Sequence, residues 1–133
     1  MPPLQPPLKT VIVEDNPVLL DLLTGMLASI PGVDLVGHAD NESAAITLLR
    51  EARPQLAIVD LELRAGTGLK VLGAVHDAPA DFGAPRAVVF SNHAHPVVKS
   101  RCLNLGAVAF FDKSFQMEEL LEFVQQAAES RPD

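Results

Sequence analysis

Three carboxylates, one hydroxyl and one ammonium stand at the ends of short apolar runs in this chain. Glu14 and Asp15 follow Val11, Ile12 and Val13; Asp60 follows LAIV at 56–59; Ser91 follows VVF at 88–90; Lys113 comes directly after FFD at 110–112. Adjacent carboxylates raise the cost of ionising each other, so Glu14 beside Asp15 requires a positive neighbour. If the apolar runs are strands of one sheet, all five groups collect on one rim. A small hard dication relieves such a cluster: Mg²⁺ takes a few carboxylates, keeps several waters and leaves positions for a phosphate oxygen. A carboxylate held beside a metal and a lysine is a competent nucleophile toward phosphorus, because both cations stabilise charge on the transferred group.

The elements that must position these groups are legible from periodicity. Residues 11–13 read as a strand, and Leu19, Leu23, Met26, Leu27 and Ile30 repeat at helical spacing after it. Asn16 suits the helix cap, Pro17 the first helical position, and Pro31-Gly32 the stop. The pattern recurs with a strand at 33–37, a helix face at Ala45, Leu48, Leu49 and Ala52, and an unbroken apolar strand at 56–59. Leu69, Leu72 and Val75 suggest a third helix, 77–85 a loop, 87–90 a strand and 96–105 a helix that Gly106 ends. A last strand is expected at 108–111, with Ser114 capping a final helix that turns Met117, Leu120, Leu121 and Val124 inward. Five βα units imply an α/β, doubly wound parallel sheet, with the polar strand 33–37 at an edge. Ligands of such sheets bind beyond the carboxyl ends of the strands.

With 133 residues, 48% of them hydrophobic, the chain is sized for one domain with a real core. Residues 1–8 carry four prolines and are expected to form a loose leader, 9–130 the folded unit and 131–133 a tail. A formal charge of −7 opposes the basic footprint of a nucleic-acid grip, so no direct nucleic-acid contact is expected. A single cysteine excludes an internal disulfide and fits a reducing compartment, and no apolar run approaches membrane length; a cytoplasmic protein without a membrane partner is expected. Cys102 reads as a small buried apolar residue, His93 and His95 as loop polarity, and Gly66 and Gly68 as turn glycines.

VIVED, then IVDLEL, VVFSN and FFDKS, in that order and spacing, resemble the receiver domain of bacterial two-component response regulators over residues 10–130. The resemblance implies a flavodoxin-like fold with strand order 2-1-3-4-5. It makes Asp60 the phosphoacceptor and gives Mg²⁺ the side chains of Glu14, Asp15 and Asp60 and the backbone carbonyl of Glu62. It gives Ser91 a hydrogen bond to the phosphoryl group, pairs Lys113 with the carboxylates and then the phosphate, and makes Phe110 the switch aromatic. The phosphoryl donor is then a sensor histidine kinase or phosphotransfer protein, and the output a downstream effector protein or domain. The chain departs from the family at Arg64, where a proline is usual after the acceptor, at Ser114, where a proline follows the lysine, and at Asn92, bulkier than usual and expected to narrow access to Asp60. A phosphorylation-controlled switch, rather than an enzyme, is the leading expectation. A degenerate receiver used as a phosphate-independent interaction module is the alternative, and a phosphatase with Asp60 as nucleophile and Glu62 as acid ranks last.

Overall fold

Each apolar run becomes a strand in the computed structural model, which describes residues 6–92 and 95–130. The elements are β1 (Leu8–Val13), α1 (Pro17–Ala28), β2 (Val33–Ala39), α2 (Glu42–Ala52), β3 (Leu56–Val59), α3 (Gly68–Asp77), a 3-10 turn (Pro79–Phe82), β4 (Arg86–Ser91), α4 (Pro96–Asn104), β5 (Ala109–Asp112) and α5 (Met117–Glu129). All strand pairings are parallel and the order is β2-β1-β3-β4-β5, the doubly wound, flavodoxin-like arrangement expected. β2 lies at an edge, and its residues alternate between half-buried and exposed until Ala39.

Alternation along the central strands sorts the core into two layers. Val11, Val13, Ala57, Val59 and Val89 face one side with Leu49 of α2, Leu72 of α3 and Cys102 of α4. Ile12, Ile58, Val88 and Phe90 face the other, under Leu23 and Leu27 of α1 and Leu120 and Val124 of α5. β3 is buried at all four positions, so each of its residues supports one layer. Burying a side chain of this size contributes about 1.5–3 kcal/mol, and the two layers clamp the sheet between its two sets of helices.

Asn16 caps α1 as expected, its side chain accepting the N–H groups of Val18 and Leu19. Several details differ from the sequence reading, among them β2, which runs on to Ala39 beyond the expected 33–37. β1 begins at Leu8, which is only 1% exposed and donates its N–H to the Gly32 carbonyl at 2.7 Å, so Leu8 belongs to the sheet and not to a leader. Residues 1–5 and 131–133 of the expected leader and tail lie outside the described residues. The stretch 77–85 is not a plain loop: Phe82 is buried beneath the Arg50 guanidinium, and Arg53 donates to the Ala80 and Asp81 carbonyls. β5 is shifted to Ala109–Asp112, leaving Val108 half exposed. Finally, Ser114 does not cap α5, which starts only at Met117. Asp112 instead accepts the Ser114 N–H at 2.7 Å while Gln116 accepts the Asp112 N–H at 2.8 Å, a closed turn that delays the helix. The Lys113–Ser114 bond in that turn is trans, as are all those described.

Candidate functional site

The sheet ladder runs one residue past the strands and so places the rim groups. The Glu14 N–H donates to the Ala39 carbonyl at 2.9 Å, the Asp60 N–H to Val13 at 2.9 Å, and the Lys113 N–H to Ser91 at 3.1 Å. Each backbone is therefore fixed by the neighbouring strand rather than by a loop. Glu14 is 2% exposed and Asp60 4%, while Asp15 is the open member of the acidic set. One carboxylate oxygen from each of Glu14, Asp15 and Asp60 lies within 4.8 Å of the other two.

The positive neighbour sought beside Glu14 is Lys113. Its Nζ lies 2.8 Å from Glu14 Oε1 and 2.8 Å from Asp60 Oδ2, and its side chain is largely buried. The second Glu14 oxygen accepts the Asn16 N–H at 3.0 Å, and Asp60 Oδ1 faces the Glu62 N–H at 3.4 Å. Burial pushes the Glu14 carboxyl above its usual range, against the opposing pull of Lys113 and Asn16, and the nearby Asp60 charge adds to the rise. Burial alone would lower the Lys113 ammonium, but its hydrogen bonds to Asp60 and Glu14 outweigh burial and hold it above its usual value. Lys113 is thus a fixed cation at neutral pH.

One ammonium against three carboxylates leaves the cluster two charges short of neutrality. That deficit, an all-oxygen donor set and the open position of Asp15 fit a small divalent cation such as Mg²⁺. A cleft of about 290 Å³ opens beside it, lined by Glu14, Asp15, His38 and Asp40 among others. Ser91, fully buried, closes the end of β4 next to Lys113. Glu62 stands two residues past Asp60, exposed, in a bridge to Thr67.

Phe110 lies two residues in from the end of β5. It pairs with Val89, two residues before Ser91, and packs half-buried on the layer beneath α2, α3 and α4. The Lys99 ammonium sits 5.7 Å from its ring centre. His95 caps α4, its Nδ1 accepting the Val97 N–H at 3.1 Å, whereas His93 lies outside the described residues. Cys102 is fully buried, and burial pushes its thiol pKa up. Among the described residues no helix is long and apolar enough to cross a membrane.

Sequence reasoning missed two supports of the site. Gly68, read as a turn glycine, is the first residue of α3 and is pressed against Asp60: a Cβ there would collide with the Asp60 carbonyl oxygen. The short polar-Gly spacing before α3 was the available signal. The second is Asp40 with Arg64, 24 residues apart, whose guanidinium and carboxylate meet at 3.2 Å. No local pattern announces that contact.

Comparison with known proteins agrees with this geometry. Residues 10–125 match the family described as response regulator receiver domain. The chain is 30% identical over 126 residues to the nitrate/nitrite response regulator protein NarL of Escherichia coli, covering 93% of this chain and 56% of that protein. It is 31% identical over 113 residues to a putative transcriptional regulator of Pseudomonas aeruginosa, covering 85% and 53%. The chain therefore spans about half the length of the curated relatives it matches. Among solved structures, the signal receiver domain of the putative response regulator NarL from Mycobacterium tuberculosis superposes with a TM-score of 0.83 at 25% identity, covering 96% of this chain and all of that one. The response regulator domain of Thermotoga maritima CheB gives a TM-score of 0.81 at 22% identity, covering 95% and 99%, and supports the fold alone. With the strand order, the acidic rim and the match over residues 10–125 in agreement, the chain belongs to the receiver domains of two-component response regulators.

Proposed function

We propose that this receiver domain takes a phosphoryl group on Asp60 from a histidine kinase or phosphotransfer protein and passes the change to a downstream effector. The observation that carries the reading is Lys113 Nζ at 2.8 Å from both Asp60 and Glu14, inside a set of three carboxylates that converge within 4.8 Å. In the transfer, an Asp60 carboxylate oxygen attacks the phosphorus of a phosphohistidine. The O–P bond forms as the P–N bond breaks, and the imidazole leaves with its electron pair and takes a proton. Asp60 Oδ2 starts out bonded to Lys113, so the ammonium is in place to follow the charge from carboxylate to phosphoryl oxygen. A bound Mg²⁺, held by the side chains of Glu14, Asp15 and Asp60 and the backbone carbonyl of Glu62, would supply the remaining neutralisation of the phosphoryl oxygens.

Ser91 ends β4 beside Lys113, and its hydroxyl is the donor suited to the new phosphoryl oxygen. Movement of that hydroxyl opens space along the same face of the sheet toward Phe110, whose ring then turns inward. The output surface is α4, β5 and α5. The relatives named as response and transcriptional regulators extend well beyond the part this chain matches, so an effector domain or partner, not this acidic domain, makes any contact with DNA. A lone buried cysteine and the want of a membrane-crossing helix among the described residues support a cytoplasmic setting.

Intact-mass measurement after incubation with a small phosphodonor and Mg²⁺ tests the reading. One phosphoryl group is expected on the parent, none on Asp60→Asn, and none on the parent in excess chelator. Equal labelling of Asp60→Asn refutes the acceptor; full labelling in chelator refutes the metal site.

A further inference from the structure

The loop after the acceptor, residues 60–67, leans on Asp40 in the loop after β2 and on Glu42 at the start of α2 through five contacts. The Arg64 N–H donates to the Asp40 carbonyl at 3.0 Å, and the Glu42 N–H donates back to the Ala65 carbonyl at 2.9 Å. Arg64 Nη2 meets Asp40 Oδ1 at 3.2 Å while Arg64 Nε meets Oδ2 at 3.2 Å. The Thr67 N–H donates to Glu42 Oε1 at 3.1 Å. Asn41 steadies the Asp40 carboxylate from the side at 2.8 Å, and with Arg64 holds its pKa below the usual carboxylate range.

Two nitrogens on two oxygens is the fork that arginine can form with a carboxylate and lysine cannot. A proline at this position, the residue the family pattern leads one to expect, would have neither the guanidinium nor the N–H that Asp40 accepts. The contact is thus one that the expected proline could not make. Its location matters because Glu62 sits two residues before Arg64, inside a span closed by the Glu62–Thr67 bridge. A backbone carbonyl offered as a ligand has no rotamer to adjust; it is placed only by fixing its backbone. We propose that Arg64 is a positioning residue: through its fork to Asp40 it fixes the loop backbone and so aims the Glu62 carbonyl at the cation shared with Asp15 and Asp60. This inference rests on the metal-site reading above.

Charge alone and positioning predict opposite signs, which makes the idea testable. Removing a cation from the neighbourhood of an acidic site should tighten divalent binding if Arg64 acts only through its charge. It should weaken binding if Arg64 holds a ligand in place. The metal-free parent chain and Arg64→Ala are titrated with Mn²⁺, free Mn²⁺ being read by electron paramagnetic resonance without any phosphoryl transfer. Arg64→Ala should bind about three- to fivefold more weakly, the size expected of an exposed ion pair, and Arg64→Lys should fall between it and the parent. Urea unfolding in chelator checks that both variants fold like the parent, and Arg64→Gln, which keeps the stem, replaces Arg64→Ala should that variant not fold. Unchanged or tighter binding by the folded variant overturns the positioning role. If the parent binds no Mn²⁺, or Asp15→Ala binds as well as the parent, the underlying metal-site reading has failed instead.

Discussion

Lys113→Met removes the ammonium and keeps the length of the stem, leaving Glu14 and Asp60 as buried carboxylates with no cation between them. Each contact at 2.8 Å amounts to about 6 kcal/mol of Coulomb energy at an effective dielectric of 20, most of it offset by desolvation. The net loss has a ceiling set by chemistry, because one proton on Glu14 relieves the strain. Glu14 starts from an ordinary value of 4.5 and is already pushed upward by burial. Protonating it at pH 7 costs at most about 1.36 × 2.5, or 3.4 kcal/mol, and at pH 5.5 about 1.4 kcal/mol. The folded variant then binds a proton that the unfolded chain has lost, so stability falls as pH rises from 4.5 toward the elevated folded pKa. Lys113→Met should therefore cost up to about 3 kcal/mol at pH 7 and less than half of that at pH 5.5. Urea unfolding followed by far-ultraviolet circular dichroism, in chelator, measures both; the sequence has no Trp or Tyr to report by fluorescence. The double variant Lys113→Met/Glu14→Gln should lose the pH dependence. A penalty equal at the two pH values, or well above the ceiling, would refute Glu14 as the group that takes the proton.

Two further outcomes follow from the site. Ser91→Ala should still accept a phosphoryl group on Asp60 yet lose most of the response across α4 and β5, since the lost hydroxyl bond, about 1.5–3 kcal/mol to a charged acceptor, is what biases the switch; backbone amide shifts with and without beryllofluoride read this, and a full response in the variant sinks the coupling. Gly68→Ala forces a Cβ onto the Asp60 carbonyl oxygen and should destabilise the fold by about 1–3 kcal/mol while slowing labelling of Asp60; parent-like stability and rate would show that the close approach is relieved elsewhere.

What the sequence revealed and what it hid divide along one physical line. Glu14, Asp60, Ser91 and Lys113 were legible because each ends a run of β-branched or aromatic residues, and a parallel sheet turns such run ends into one rim. Strand order and the roles of Ser91 and Phe110 came from the family resemblance, not from periodicity. Contacts that depend on which loops meet were hidden: Asp40 with Arg64, Gly68 under Asp60, Arg50 over Phe82, and the Asp112–Gln116 turn that displaced the expected Ser114 cap. None of these has a period, and each partner is chosen only after the sheet has formed.

The same division explains where this site needs extra support. Glu14, Asp60 and Lys113 hang from ladder hydrogen bonds to Ala39, Val13 and Ser91, so their backbones inherit the stiffness of a sheet packed on both faces. The Glu62 loop inherits nothing from the ladder, because β3 stops at Val59 and the ladder ends with the Asp60 N–H. The backbone at Glu62 is held instead by its bridge to Thr67 and by lateral contacts. The Asp40–Arg64 and Glu42–Thr67 links are those contacts on the β2 side, and Gly68 packed on Asp60 closes the other end of the loop. A site built on strand ends is rigid wherever it is sheet, and beyond the sheet the backbone at Glu62 depends on contacts between loops.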